Sequence, residues 1–316
     1  MTRLLRSFSA VVTAALLGAC FIPCVAQDWA KQMLAKSPRH GEYITIKEPG
    51  GRALQAFVVY PEVKYKAPVV VLIHEIFGQS DWAREMADEL AGAGYIVVEP
   101  DLLSGFGPPM TGLPNDATKP KAVDKNSAAT SEDHAHMNMS APTTGAAYMA
   151  MSPGGTAAFP NQDAVVKAVS SLDANIVTAD LDAAADYGKK LPSANGKLYV
   201  AGFCWGGGKT FLFATHRKDL SAAFVFYGPP PPAEAMQNIT ALVYGFYAGN
   251  DARISATIPQ TQADMKAAGK TYEPVTYDGA GHGFMRAGEA PDANAANSAA
   301  RAAGFRRLVD LLGGVR

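Results

Sequence analysis

The stretch that most restricts the fold is Gly202-Phe203-Cys204-Trp205-Gly206-Gly207-Gly208, set between an apolar run at 198–201 and a helix-patterned run at 210–215. Glycine-x-nucleophile-x-glycine between a strand and a helix is the pattern of a nucleophile elbow, with Cys204 here where serine usually stands. The turn is sharp and strained. Side chains two positions to either side of the nucleophile would collide, and Gly202 and Gly206 remove that collision. The same turn aims the amide of Trp205, near a helix N-terminus, at the place where an oxyanion would form.

The rest of the chain supplies a sheet for such a turn. Residues 42–47 and 53–60 read as two strands joined by the turn-forming Glu48-Pro49-Gly50-Gly51. Residues 69–73 are a continuous apolar run, as expected of a strand buried on both faces. Ser80 and Asp81 cap a helix carrying Trp82, Met86 and Leu90 at helical spacing, with Gly94 at its end. A strand at 95–98 follows, closed by Glu99-Pro100-Asp101. Further strands are expected at 198–201, 222–226, 241–246 and 272–276, with helical patterns between most of them and a C-terminal helix at 295–312. This alternation predicts an α/β fold: a mostly parallel sheet flanked by helices. With 316 residues, 48% of them hydrophobic, the chain is long enough for one sizeable core.

The N-terminus reads as a targeting segment. Arg3 and Arg6 precede an apolar run at 10–19 that extends through Phe21 and Ile22 and is shorter than the ~20 residues a bilayer requires. Cys24-Val25-Ala26 before Gln27 suits cleavage after Ala26, giving a signal peptide at 1–26 and a single domain at 27–316. The expected location is then periplasmic or secreted. Leu17-Gly18-Ala19-Cys20 also fits a lipoprotein box, with Cys20 as the lipid acceptor and the only expected membrane attachment; an uncleaved anchor is the third reading. Cleavage after Ala26 removes Cys20 and Cys24 and leaves Cys204 without a disulfide partner. The net charge of −1, from 28 basic and 29 acidic residues, argues against a nucleic-acid partner.

A thiol ionises near pH ~8.5 and needs a base or a positive neighbour to attack at neutral pH. In an elbow fold the acid and then the histidine follow the nucleophile along the chain. Only His216 and His282 lie beyond Cys204. His216, beside Arg217 and Lys218, reads as a solvated histidine at a helix end, whereas His282 lies in the loop Gly279-Ala280-Gly281-His282-Gly283-Phe284 after the last expected strand. The acid is expected after the preceding strand, in Gly249-Asn250-Asp251. Asp251 would hold His282 in the required tautomer. Asp278 is the alternative, but it is so near His282 in sequence that it would reach the far ring nitrogen awkwardly.

Taken together, these motifs resemble the dienelactone hydrolases. The resemblance covers residues 69–101 and 161–312 and rests on five motifs: His74-Glu75-Ile76-Phe77-Gly78, Pro100-Asp101-Leu102, the elbow, Gly249-Asn250-Asp251 and Gly281-His282-Gly283-Phe284. It implies an α/β-hydrolase fold and a Cys204–His282–Asp251 triad that opens a small ester or lactone through an acyl-enzyme. It also implies that Glu75 contacts the resting thiol and helps form the thiolate. The amides of Ile76 and Trp205 would form the oxyanion hole, and Arg286 would hold a substrate carboxylate. The family's second carboxylate-binding arginine has no counterpart at Leu103-Ser104-Gly105. No cofactor and no catalytic metal are expected.

Residues 104–160 break the rhythm. They are rich in Gly, Pro, Ser, Thr, Ala and Met and read as an insertion after the C-terminal end of a strand, where open α/β sheets place ligands. His134, His136, Met137, Met139, Met149 and Met151 lie within it. Such soft ligands open an alternative reading, an exported copper-binding protein.

Overall fold

The computed structural model describes residues 27–48, 51–108 and 154–314. Eight strands form one sheet: β1 (Gly41–Lys47), β2 (Ala53–Val59), β3 (Ala67–Ile73), β4 (Ile96–Asp101), β5 (Ala194–Phe203), β6 (Ala222–Phe226), β7 (Leu242–Ala248) and β8 (Tyr272–Tyr277). Their order is β1-β2-β4-β3-β5-β6-β7-β8. Strands β3 to β8 are mutually parallel, and β1 and β2 join as an antiparallel pair beside β4. The α/β fold expected from the alternation is present.

The helices are α1 (Asp28–Lys36), α2 (Asp81–Gly92), α3 (Gln162–Ser170), α4 (Ala174–Lys190), α5 (Trp205–His216), α6 (Ala233–Met236), α7 (Ala252–Ser255), α8 (Ile258–Ala267), α9 (Phe284–Ala287) and α10 (Ala295–Gly314). Ser80 caps α2 as expected, its side chain accepting from the amide of Ala83. Two apolar layers sandwich the sheet. On one face Val69, Val71, Val98 and Val200 pack with Val177 and Leu181 of α4 and Phe211 and Phe213 of α5. On the other, Val70, Leu72, Val97 and Phe226 pack with Trp82, Met86 and Leu90 of α2 and Leu308 and Leu312 of α10. Every residue of β3 is buried, which explains its unbroken apolar run. Each such side chain contributes roughly 1.5–3 kcal/mol on leaving water.

Glu99-Pro100-Asp101, expected to close a strand, continues β4 instead, pairing with Phe57, Ala56 and Gln55 of β2. Proline is tolerated there because the pairing with β3 ends at Val98, so on that side no ladder bond is asked of its missing N–H. From β3 the chain crosses through α2 to β4 on one side and later returns to β5 on the other. That reversal is a switch point, and the crevice above it lies between the ends of β3 and β5.

The expected insertion leaves and returns at one place: the amide of Gly107 donates to the carbonyl of Gly154 at 2.8 Å. The chain re-enters through one turn of 3-10 helix at Thr156–Ala158. The expected signal segment at 1–26 and the His/Met cluster from His134 to Met151 lie outside the described residues.

Candidate active site

Cys204 stands between β5 and α5 with φ +56°, a left-handed backbone that side-chain-bearing residues rarely hold. Its strain is sustained by close packing all round. A Cβ on Gly202 would lie 2.4 Å from the carbonyl oxygen of Gly206, and one on Gly206 would lie 2.3 Å from that of His74. Gly202 thus clears the elbow's own backbone, while Gly206 lets α5 lie against the end of β3. The Cys204 amide donates to Phe226 O at 3.0 Å, tying the elbow to β6.

The loops after β7 and β8 bring the other groups. Asp251 caps the short helix α7 and is 8% exposed. Its Oδ2 lies 2.5 Å from His282 Nδ1, and His282 Nε2 lies 3.1 Å from Cys204 Sγ. One imidazole therefore bridges carboxylate and thiol. Gly283, at φ +76°, turns the chain directly after His282. The hydrogen bond to Cys204, with Asp251 behind it and against the effect of burial, raises the His282 pKa to about 9. Asp278 is exposed, and His216 is exposed beside Asp182, 2.7 Å away, so neither joins this row.

Above β3, the amide of Gly78 donates to the carbonyl of Glu75 at 3.2 Å, forming a turn around Ile76 and Phe77. The amide of Ile76 donates no hydrogen bond to another described residue. Trp205 heads α5, so its amide has no partner within the helix. His74 is buried and stacks on Trp205, with ring centroids 5.6 Å apart; its Nδ1 lies 2.7 Å from the carbonyl of Glu75. Burial lowers its pKa.

Glu75 is 3% exposed. Its Oε2 accepts from Arg286 Nε at 2.6 Å and its Oε1 from Tyr227 Oη at 3.3 Å, while the hydrogen-bond partner found at the thiol is His282. Glu75 and Arg286, 211 residues apart, thus form an ion pair at the site. Arg286 also lies over the ring of Phe77, 4.9 Å from its centroid. Burial works against the guanidinium's charge, but Glu75, with Tyr227 and Cys204 adding to it, leaves the Arg286 pKa raised.

Sequence reasoning missed Tyr227. It directly follows β6 at φ +39°, is fully buried, and packs edge-on against His282 at 5.1 Å and Phe284 at 5.3 Å between ring centroids. Burial, Glu75 and Cys204 push its phenol well above the usual range, so it donates to Glu75 as a neutral hydroxyl. The available signal was Tyr227-Gly228-Pro229 directly after an apolar strand. Gly228 there sits where a Cβ would lie 2.2 Å from the amide nitrogen of Gly208.

Among the described residues, one carboxylate trio offers metal-ligating atoms within 4.8 Å of one another: Glu85, Glu89 and Glu289. Arg301 already pairs with two of them.

Known proteins share this fold and align with much of this sequence. The family model described as the dienelactone hydrolase family matches residues 54–315. A Salmonella typhi protein provisionally named carboxymethylenebutenolidase is 27% identical over 253 residues, covering 76% of this chain and 77% of its own. The carboxymethylenebutenolidase of Pseudomonas putida is 25% identical over 246 residues, covering 78% and 86%. Among solved structures, a provisionally assigned dienelactone hydrolase from Klebsiella pneumoniae shares the fold, with TM-score 0.63 at 22% identity over 86% of this chain and 97% of that one. The chain belongs to the dienelactone hydrolase family, within the α/β-hydrolase fold.

Proposed function

We propose that this hydrolase cleaves a small ester or lactone through an acyl-enzyme on Cys204. The observation that carries the reading is the hydrogen-bonded row Asp251–His282–Cys204, with its thiol on a strained turn at a helix N-terminus. His282 Nε2 takes the thiol proton as Sγ attacks the acyl carbon, and Asp251 at Nδ1 stabilises the imidazolium that forms. The amides of Ile76 and Trp205 receive the oxyanion; donors about 2.7–3.1 Å from that oxygen lower the barrier most. Collapse breaks the acyl–oxygen bond, and the imidazolium gives its proton to the departing alkoxide. Water, deprotonated by His282, then attacks the thioester and releases the acid, and Sγ regains a proton.

Glu75 and Arg286 sit beside this row as a mutually neutralising pair. A substrate carboxylate reaching Arg286 has to share it with Glu75, and Leu103-Ser104-Gly105 offers no second arginine. This favours tolerance of neutral esters and lactones, with a modest preference for anionic ones. We also propose that the protein is exported, on the pattern of residues 1–26.

The test is a panel of p-nitrophenyl esters and simple lactones offered to the wild type and to Cys204→Ala. Turnover by the wild type that vanishes in a folded Cys204→Ala supports the reading. Equal turnover by both contradicts it.

A further inference from the structure

The turn that carries Ile76 is closed by a single backbone bond of 3.2 Å, from Gly78 N to Glu75 O. One such bond does not fix the direction of an amide well enough for catalysis, where a misplacement of about 1 Å can cost about 100-fold. Something outside the turn has to brace it.

Beside the contact of His74 Nδ1 with the carbonyl of Glu75 at 2.7 Å and the bond from Gln162 Nε2 to the carbonyl of Phe77 at 3.4 Å, the brace that ties the turn to β4 is Thr156, on the returning side of the 104–160 segment. Its Oγ1 accepts from the amide of Gln79 at 3.0 Å and donates to Asp101 Oδ1 at 2.7 Å. Its own amide donates to Asp101 Oδ2 at 2.7 Å. Asp101 is the last residue of β4, is 4% exposed, and also accepts from the amide of Leu103 at 3.1 Å. One hydroxyl therefore links the rigid end of β4 to the residue that follows the turn. Thr156 also presses on the turn directly. A Cβ on Gly78, at φ +71°, would lie 2.6 Å from Thr156 Oγ1 and 2.7 Å from its Cγ2. On the far side Gln79 Nε2 donates to the carbonyl of Glu99 at 3.0 Å. Thr156, Asp101 and Gln79 are all buried, so water does not replace a lost partner cheaply.

We propose that Thr156 is a positioning residue for the oxyanion hole, holding the Glu75–Gly78 turn against β4 so that the Ile76 amide faces the oxygen on the carbon attacked by Cys204. The proposal rests on the acyl-enzyme reading. It goes beyond that reading by making Thr156, which touches no reacting atom, a requirement for full turnover.

Thr156→Val keeps the shape and removes the hydroxyl, and Thr156→Ser keeps the hydroxyl. The experiment measures kcat and KM for a p-nitrophenyl ester, the rate of Cys204 alkylation by iodoacetamide, and the inhibition constant of an aldehyde matched to the acyl group. Alkylation uses the thiol and His282 but no oxyanion donor. The aldehyde forms a hemithioacetal whose oxygen lies where the oxyanion would. Thr156→Val is expected to lower kcat about 10- to 100-fold, short of the 100- to 1000-fold typical of losing an oxyanion donor outright. KM and the alkylation rate should stay within about threefold, and aldehyde affinity should fall in step with kcat/KM. Thr156→Ser should stay within about twofold of wild type throughout. Wild-type kcat in folded Thr156→Val overturns the proposal, as does an alkylation rate that falls as far as kcat. If Thr156→Val does not fold, Thr156→Ala replaces it, and equal kcat for the Ala and Ser variants overturns the proposal. Failure of the underlying reading has its own signature: alkylated wild-type enzyme that still turns over ester.

Discussion

Removing Arg286 tests what the ion pair beside the thiol does. Glu75 is 3% exposed and the Arg286 side chain 26%. Arg286→Met deletes the guanidinium 2.6 Å from Glu75 Oε2 and leaves the carboxylate with Tyr227 Oη at 3.3 Å as its remaining partner in this network. Breaking a buried pair from one side typically costs 3–5 kcal/mol, because it strands a charge. Water reaching the partly exposed Arg286 position reduces this to about 2–3 kcal/mol. For a domain of this size each kcal/mol shifts Tm by about 2–4 °C, so Arg286→Met should melt about 5–10 °C lower. Adding Glu75→Gln removes the stranded charge while keeping an acceptor for Tyr227, and the double variant should recover to within about 1 kcal/mol of wild type. Urea denaturation of the wild type, both single variants and the double variant gives the coupling energy, expected near 2 kcal/mol. Additive single effects would refute a stabilising pair. Activity separates a second role: a charged hydrogen bond is worth about 1.5–3 kcal/mol, and sharing Arg286 with Glu75 brings this toward about tenfold in kcat/KM. The double variant should regain stability yet lose that preference for an acidic substrate over its methyl-capped twin. A preference that survives loss of Arg286 places the substrate carboxylate elsewhere.

Three further outcomes follow from the same geometry. Asp251→Asn should lower kcat by about 10³–10⁴ and Asp278→Asn by little, and adding His282→Ala to Asp251→Asn should cost little more than His282→Ala alone; multiplicative losses would argue against one unit. Glu85 is held up to about 10 by burial and by Glu289 and Glu89, whereas an unfolded glutamate ionises near ~4.3, so the fold retains a proton that the unfolded chain releases. Stability from this group is therefore fullest below that lower pKa and declines as pH rises toward the higher one. Glu85→Gln, which needs no proton, should gain about 1–2 kcal/mol over wild type at pH 8 and nothing near pH 4 in paired denaturation curves; an equal effect at both would contradict the sign. Gly206→Ala would put a methyl 2.3 Å from His74 O and 2.5 Å from Ile73 O, and should cost about 3 kcal/mol or more by thermal melting; a wild-type Tm would mean α5 shifts freely on β3.

What the sequence made legible was local. The elbow could be read because glycines at fixed offsets from Cys204 have one steric purpose, and His282 and Asp251 because chain order limits where a base and its acid lie. The apolar run at 69–73 marked β3 because burial on both faces leaves no polar position. Strand order was not legible, since a one-dimensional pattern does not say that β4 and β5 lie on opposite sides of β3. The Glu75–Arg286 pair joins residues 211 positions apart, and nothing local to either names the other. Tyr227 reads as one more aromatic at a strand end until its φ of +39° and the neighbouring His282 ring are seen. Thr156 looks like loop composition, because its value lies in the Asp101 carboxylate 55 residues earlier.

The most direct test of the central claim is the mass of the acylated protein. The wild type is mixed with a slowly hydrolysed p-nitrophenyl ester, quenched in acid within the burst of nitrophenol release, and analysed intact and after proteolysis. One acyl group per chain, borne by the peptide containing Cys204 and labile to hydroxylamine as a thioester, is the predicted result. Accumulation should increase when deacylation is slowed. Turnover with no adduct under any quench, or an adduct on another residue that persists in Cys204→Ala, would contradict a cysteine nucleophile.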